Sequence, residues 1–225
     1  MLRHLNLVAV NIDGVLLNDS FSPVMRRLVE SRGGTYSARF ERELLSQPQL
    51  VAAQRAADQL GGTADELLRD YFAQREAYLR EHPVRVLDGA AELVATLRSL
   101  NVRTVCYGGL ERAHFDRHLS HFADYFDAPG YVCTNDFRPG IHEITELFGL
   151  RADQVLFIDD VARVAEAARD IGVAFIGHPA DSEHDFQRQM MAEAGARHIV
   201  GSLREIDETL LRTVDGEAAA GSVWR

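Results

Sequence analysis

The chain has 225 residues, 46% of them hydrophobic, and a formal net charge of −10. That length can bury a full core and suits one α/β domain carrying a smaller insertion, while the acidic balance argues against a nucleic-acid surface, which needs clustered cations. All 24 basic side chains are arginine, which excludes a lysine Schiff base, a Walker A loop and a lysine that stabilises a transferring phosphoryl group. Only Cys106 and Cys133 occur, both inside expected strands, where small buried hydrophobes are favoured over a disulfide or metal site. No apolar run approaches a membrane span and the N-terminus lacks a signal peptide's pattern, so a cytoplasmic protein is expected.

Apolar runs at 7–12, 103–107, 131–133, 154–158 and 173–176 alternate with segments of helical period, as in a parallel sheet with crossover helices. His198 to Val200 adds a short edge strand. Between the first strand and residue 84 only helical patterns occur: one from Ser22-Pro23, one around 38–46, one around 48–60, and a long one from Thr63. Thr63 and Glu66 form a capping box, and Pro83 ends that helix. A helix over 89–100 takes Asp88 as its cap, and another over 161–171 stops at Gly172. The stretch from Asp215 to Arg225 is small and polar and reads as a disordered tail.

The first strand ends on Asn11 and Asp13 and breaks at Gly14. Strand residues alternate sides, so both side chains project the same way from a strand's C-terminal tip, where open α/β sheets bind ligands. Leu7 to Leu16, a hydrophobic strand followed by Asn-x-Asp-Gly-Val-Leu, resembles the first motif of the haloacid dehalogenase (HAD) superfamily, with Asn11 where that family carries its nucleophilic Asp. The resemblance implies a Rossmann-like parallel core over 1–17 and 85–214, with a helical C1 cap inserted after the first strand over 18–84. It further implies that the residue at position 11 attacks a phosphoryl group, that Asp13 serves as general acid and base, and that Mg²⁺ sits between Asp13, Asp159 and Asp160. An amide is a weaker nucleophile and a poorer ligand for a hard cation. Losing one unit charge at about 4 Å costs about 4 kcal/mol at an effective dielectric of about 20, or roughly three orders of magnitude in metal affinity.

The remaining motifs depart from the family in part. Tyr107 stands where a small hydroxyl is usual, followed by Gly108-Gly109, whose amides could approach an anion although a plain turn is the commoner use of paired glycines. Arg138-Pro139 stands where Lys-Pro is usual and suits bidentate contact with a phosphate or carboxylate. Asp159-Asp160 at a strand tip matches best; Asp160 also suits the cap of the next helix, and Val164 replaces a usual acid or amide. His114, His118 and His121 share a helical face, but Phe115, Leu119 and Phe122 make that helix's apolar side and no further ligands complete a zinc set. His142 and His178 lie near expected loop ends.

These readings imply a HAD-like, hydrolase-derived protein that acts on or binds a small anionic, phosphorylated or similar metabolite, with aspartyl-phosphate chemistry weak, altered or absent. Asp13 and Asn11 occupy the catalytic positions, Arg138, Tyr107 and Gly108 the anion site, and Asp160, Asp159 and Asp13 a weakened Mg²⁺ site. The alternatives are a non-catalytic binding module, and an ordinary Mg²⁺-dependent phosphatase if Asn11 is a deamidated or engineered Asp. No nucleotide cofactor, haem, nucleic acid or membrane partner is expected, and the chain is expected as a monomer or homodimer.

Overall fold

The computed structural model describes residues 1–180 and 186–224; residues 181–185 of the expected core and Arg225 of the expected tail lie outside the described residues. The strands are β1 (Leu7–Asn11), β2 (Arg103–Gly108), β3 (Tyr131–Cys133), β4 (Val155–Asp159), β5 (Ala174–Gly177) and β6 (His198–Ile199), and they form one parallel sheet in the order β3-β2-β1-β4-β5-β6. Alternate residues feed opposite faces. Val8, Val10, Leu156 and Ile158 enter one apolar cluster, while Leu7, Ala9, Val105, Tyr107 and Phe157 enter the other. Burial on both faces explains why these segments read as unbroken apolar runs.

Among the described residues six helices accompany the sheet: α5 (Ala90–Ser99), α6 (Arg112–Leu119), α7 (Ile141–Leu147), α8 (Ala162–Ile171), α9 (Gln187–Glu193) and α10 (Glu208–Ala220). Four more lie between β1 and α5: α1 (Ser22–Ser31), α2 (Ala38–Leu44), α3 (Gln49–Leu60) and α4 (Ala64–Glu81). They enclose a small core of their own, including Leu28, Phe40, Leu44 and Leu67. The chain leaves and re-enters the sheet layer side by side, with Asn18 N–H on Arg85 O at 3.0 Å and Leu87 N–H on Leu16 O at 2.9 Å. Arg42 of α2 pairs with Glu166 of α8, which ties this helical cap to the layer below. Among the described residues no helix is long and apolar enough to cross a membrane.

Local signals act as their chemistry dictates at Thr63, whose capping box with Glu66 is formed, and at Gly172, which ends α8 at φ 78°. Three expectations need correction. Asp88 does not cap α5; Gly89, at φ 91°, occupies the N-cap. The acid that receives the N–H of Val161 at the start of α8 is Asp159, at 2.8 Å, not Asp160. The segment from Asp215 is no frayed tail: residues 215–220 continue α10, and the Asp215 carboxylate accepts the N–H groups of Arg3, His4 and Leu5 at 2.9, 2.9 and 2.7 Å.

Candidate active site

In this strand order β1 is the point where the connections reverse direction, so the tips of β1 and β4 border the crevice where doubly wound sheets hold ligands. β1 ends at Asn11, in register with Tyr107 of β2. The chain then folds tightly, with Gly14 N–H donating to Leu17 O at 2.8 Å, and Gly14 takes φ 90°. A side chain there would fail on space as well, since a Cβ would lie 2.0 Å from Asp160 Oδ2. Asn11, Asp13 and Asp160 thereby line one end of a cavity of about 160 Å³ between the sheet tips and the cap, together with Arg138 and Gly109.

Asn11 is buried, and its amide nitrogen donates to Asp13 O at 2.7 Å and to Asp160 Oδ1 at 2.8 Å. Asp13 Oδ1 meets His114 Nε2 of α6 at 2.9 Å. The Tyr107 hydroxyl, expected at an anion, instead donates to Asp159 Oδ2 at 2.5 Å, and neither residue lines the cavity. Asp159 is fully buried, and burial pushes its carboxyl up to about 6 although Tyr107 and the Val161 N–H favour its charge. Burial, then the charge of Asp159, pushes Asp160 well above the usual carboxylate range. Fewer donors and a charged neighbour disfavour the charge of Asp160 more than burial alone would.

The fold family implies Mg²⁺ at this place, and the donor set does not fit it. Asp159 faces Tyr107 and the Val161 N–H and does not line the cavity, burial disfavours the charge of Asp160, and Asn11 directs N–H rather than oxygen toward Asp160. A hard cation takes several oxygen ligands, carboxylates above all, converging on one point. Among the described residues no group of three or more His, Cys, Asp or Glu side chains is arranged to hold a metal ion.

Arg138 lines the cavity between the glycine pair and the cap. A Cβ on Gly109 would lie 2.3 Å from Arg138 Nη1, and one on Gly108 2.3 Å from Ile12 Cγ2; neither glycine has positive φ, so both serve close approach rather than turn geometry. Gly109, not Gly108, reaches the cavity. Arg138 Nη2 donates to Ser46 Oγ of the cap at 3.3 Å, and its buried Nε has no partner. Ser46 is buried with φ 52°, a strained conformation for a residue with a side chain.

Two site residues escaped the sequence reading. His114 reaches Asp13 across 101 positions, which no local pattern encodes. Asp19 lines the cavity and accepts the N–H groups of Phe21 at 2.7 Å and Ser22 at 3.2 Å; an Asp shortly before Ser22-Pro23 is a helix-start signal that could have found it. Burial raises its carboxyl despite those donors. His178 Nδ1 lies 3.1 Å from Gly14 O, His142 is exposed on α7, and Val164 is buried in the core beneath α8.

No protein-family model and no curated protein matches the sequence. Solved structures do match the fold over nearly the whole chain. β-Phosphoglucomutase from Clostridium difficile superposes with a TM-score of 0.70 at 13% identity, covering 96% of this chain and 99% of its own. The chain has the haloacid dehalogenase-like fold. A conserved haloacid dehalogenase-like protein of unknown function from Agrobacterium tumefaciens gives 0.66 at 20% identity, covering 93% of this chain and 99% of its own. A HAD family hydrolase from Deinococcus radiodurans, solved with bound phosphate and sodium, gives 0.61 at 18%, covering 96% and 97%. Against the HAD motifs, the carboxylate implied at the tip of β1 is the amide of Asn11 in this chain.

Proposed function

We propose that this chain is a hydrolase-derived protein of the HAD fold that binds a small anionic metabolite at Arg138 without running aspartyl-phosphate chemistry. The observation that carries the reading is the Asn11 amide, which donates to Asp160 at 2.8 Å. It removes the nucleophile and also places N–H where a cation would need oxygen. Arg138, with one buried donor unpartnered, supplies the charge for an anion. Mg²⁺ has no role in this reading.

The test is phosphate release from a broad panel of phosphate esters with Mg²⁺, comparing the chain as it stands with Asn11→Asp. No release by the parent chain is expected. Turnover by the parent at the rate of an ordinary phosphatase, with intact mass confirming Asn11, would refute the proposal.

A second reading rests on the Asp13–His114 contact at 2.9 Å. An imidazole can hold or take a proton at Asp13 Oδ1, which supports slow hydrolysis by altered chemistry. That reading requires turnover that disappears in Asp13→Asn while ligand-induced stabilisation persists.

A further inference from the structure

The cavity has two unlike ends. On the cap side it is walled by Phe21, Met25, Leu28, Phe40, Leu44 and Phe72. Three polar side chains on that wall are already engaged. The Tyr71 hydroxyl donates to Phe21 O at 3.3 Å, and Ser46 Oγ accepts from Arg138. The Gln47 amide oxygen, oriented by its neighbours, accepts from Arg55 at 3.1 Å and from Arg163 at 2.8 Å. A polyhydroxylated ligand body would lose water there and find few partners, at a cost for each unpaired hydroxyl.

Size narrows the body further. The cavity measures about 160 Å³, and an apolar protein cavity of about 150 Å³ stays dry and accepts benzene. Charge narrows the head. Among the described residues one guanidinium, that of Arg138, lines this space, together with Asp13, Asp19 and Asp160. A phosphate dianion would bring two negative charges to one cation, whereas a carboxylate matches the planar guanidinium charge for charge. The cation is the Arg138 guanidinium, whose Nη2 makes one long bond of 3.3 Å to Ser46 Oγ.

We infer that the ligand is an organic monoacid with an apolar body about the size of one benzene ring, its carboxylate on Arg138 and its body among the cap side chains. The inference rests on the reading of Arg138 as an anion site and adds the body and head that the site takes.

The experiment is calorimetric titration of the full chain with phenylacetate, acetate, benzyl alcohol, phenyl phosphate and glucose 6-phosphate. Phenylacetate is expected to bind at least tenfold more tightly than any of the others. Arg138→Gln should weaken it at least tenfold, and Met25→Gln, at a half-buried cap position, should weaken phenylacetate while leaving acetate unchanged. Circular dichroism checks that each variant folds. Equal or tighter binding of acetate, phenyl phosphate or glucose 6-phosphate, still lost in Arg138→Gln, overturns the inference and leaves the anion site standing. Binding of benzyl alcohol as tight as phenylacetate, unaffected in Arg138→Gln, or no binding by any of the five, overturns the anion site as well.

Discussion

Tyr107→Phe removes one oxygen from a fully buried position and keeps the ring's packing edge-on to Phe157, whose centroid lies 5.3 Å away. What is lost is the hydrogen bond to Asp159 Oδ2 at 2.5 Å, leaving the Val161 N–H on the other oxygen. A hydrogen bond to a buried charged group contributes about 2 kcal/mol, which corresponds to about 1.5 pH units of carboxyl titration. The carboxyl of Asp159 already sits at about 6, above its ordinary 3.8. Native protein therefore binds more protons than unfolded chain between those values, and stability falls as pH rises through that window. In Tyr107→Phe the fall continues beyond it. The variant should lie near the parent at pH 5 and be about 2 kcal/mol less stable at pH 8, a melting shift of roughly 4–8 °C for a chain this size. Urea denaturation at both pH values, with a carbon-13 titration of the carboxyl, measures it. An equal loss at pH 5 and pH 8, or none, would refute the idea that the phenol supports a buried carboxylate.

Other substitutions separate shape from charge. Gly14→Ala puts a Cβ at positive φ and 2.0 Å from Asp160 Oδ2, so a loss of roughly 3 kcal/mol is expected by denaturation; a neutral result would mean that Asp160 does not rest on this turn. Gly109→Ala meets only the end of a flexible side chain, Arg138 Nη1 at 2.3 Å. It should change stability by less than about 1 kcal/mol and weaken carboxylate binding about tenfold by titration calorimetry, and unchanged affinity would count against Arg138 as the anion's partner. Asp215→Ala removes the acceptor of three backbone N–H groups and should cost roughly 2–4 kcal/mol at neutral pH. Those donors outweigh burial and hold the Asp215 carboxyl below its ordinary value, so the parent loses this contribution as acid protonates it, and the gap between the two should narrow below about pH 4.

The strands were legible because they are buried on both faces, which leaves unbroken apolar runs, and Thr63, Pro83 and Gly172 marked helix ends by chemistry local to a few residues. The strand-tip acids were legible for the same reason. What stayed hidden depends on partners far along the chain. Tyr107 reads as a hydroxyl for a ligand until Asp159 stands against it, and Asp160 reads as a helix cap until Asp159 proves to hold that N–H. His114 looked like one of three histidines on an exposed face, and only the fold turns its ring onto Asp13. The misread end has a local cause: Glu217 to Ala220 is strongly helix-forming, but small residues also resemble a tail.

The clasp between Asp215 and the backbone of Arg3, His4 and Leu5 bears on the order in which the protein is made. Those residues lead into β1, the strand with neighbours on both sides at the centre of the sheet, and their N–H groups wait for a carboxylate 210 to 212 positions downstream. During synthesis the central strand emerges first, yet its leading edge is sealed only after α10 has left the ribosome, so the earliest-made element of the sheet is among the last to be secured.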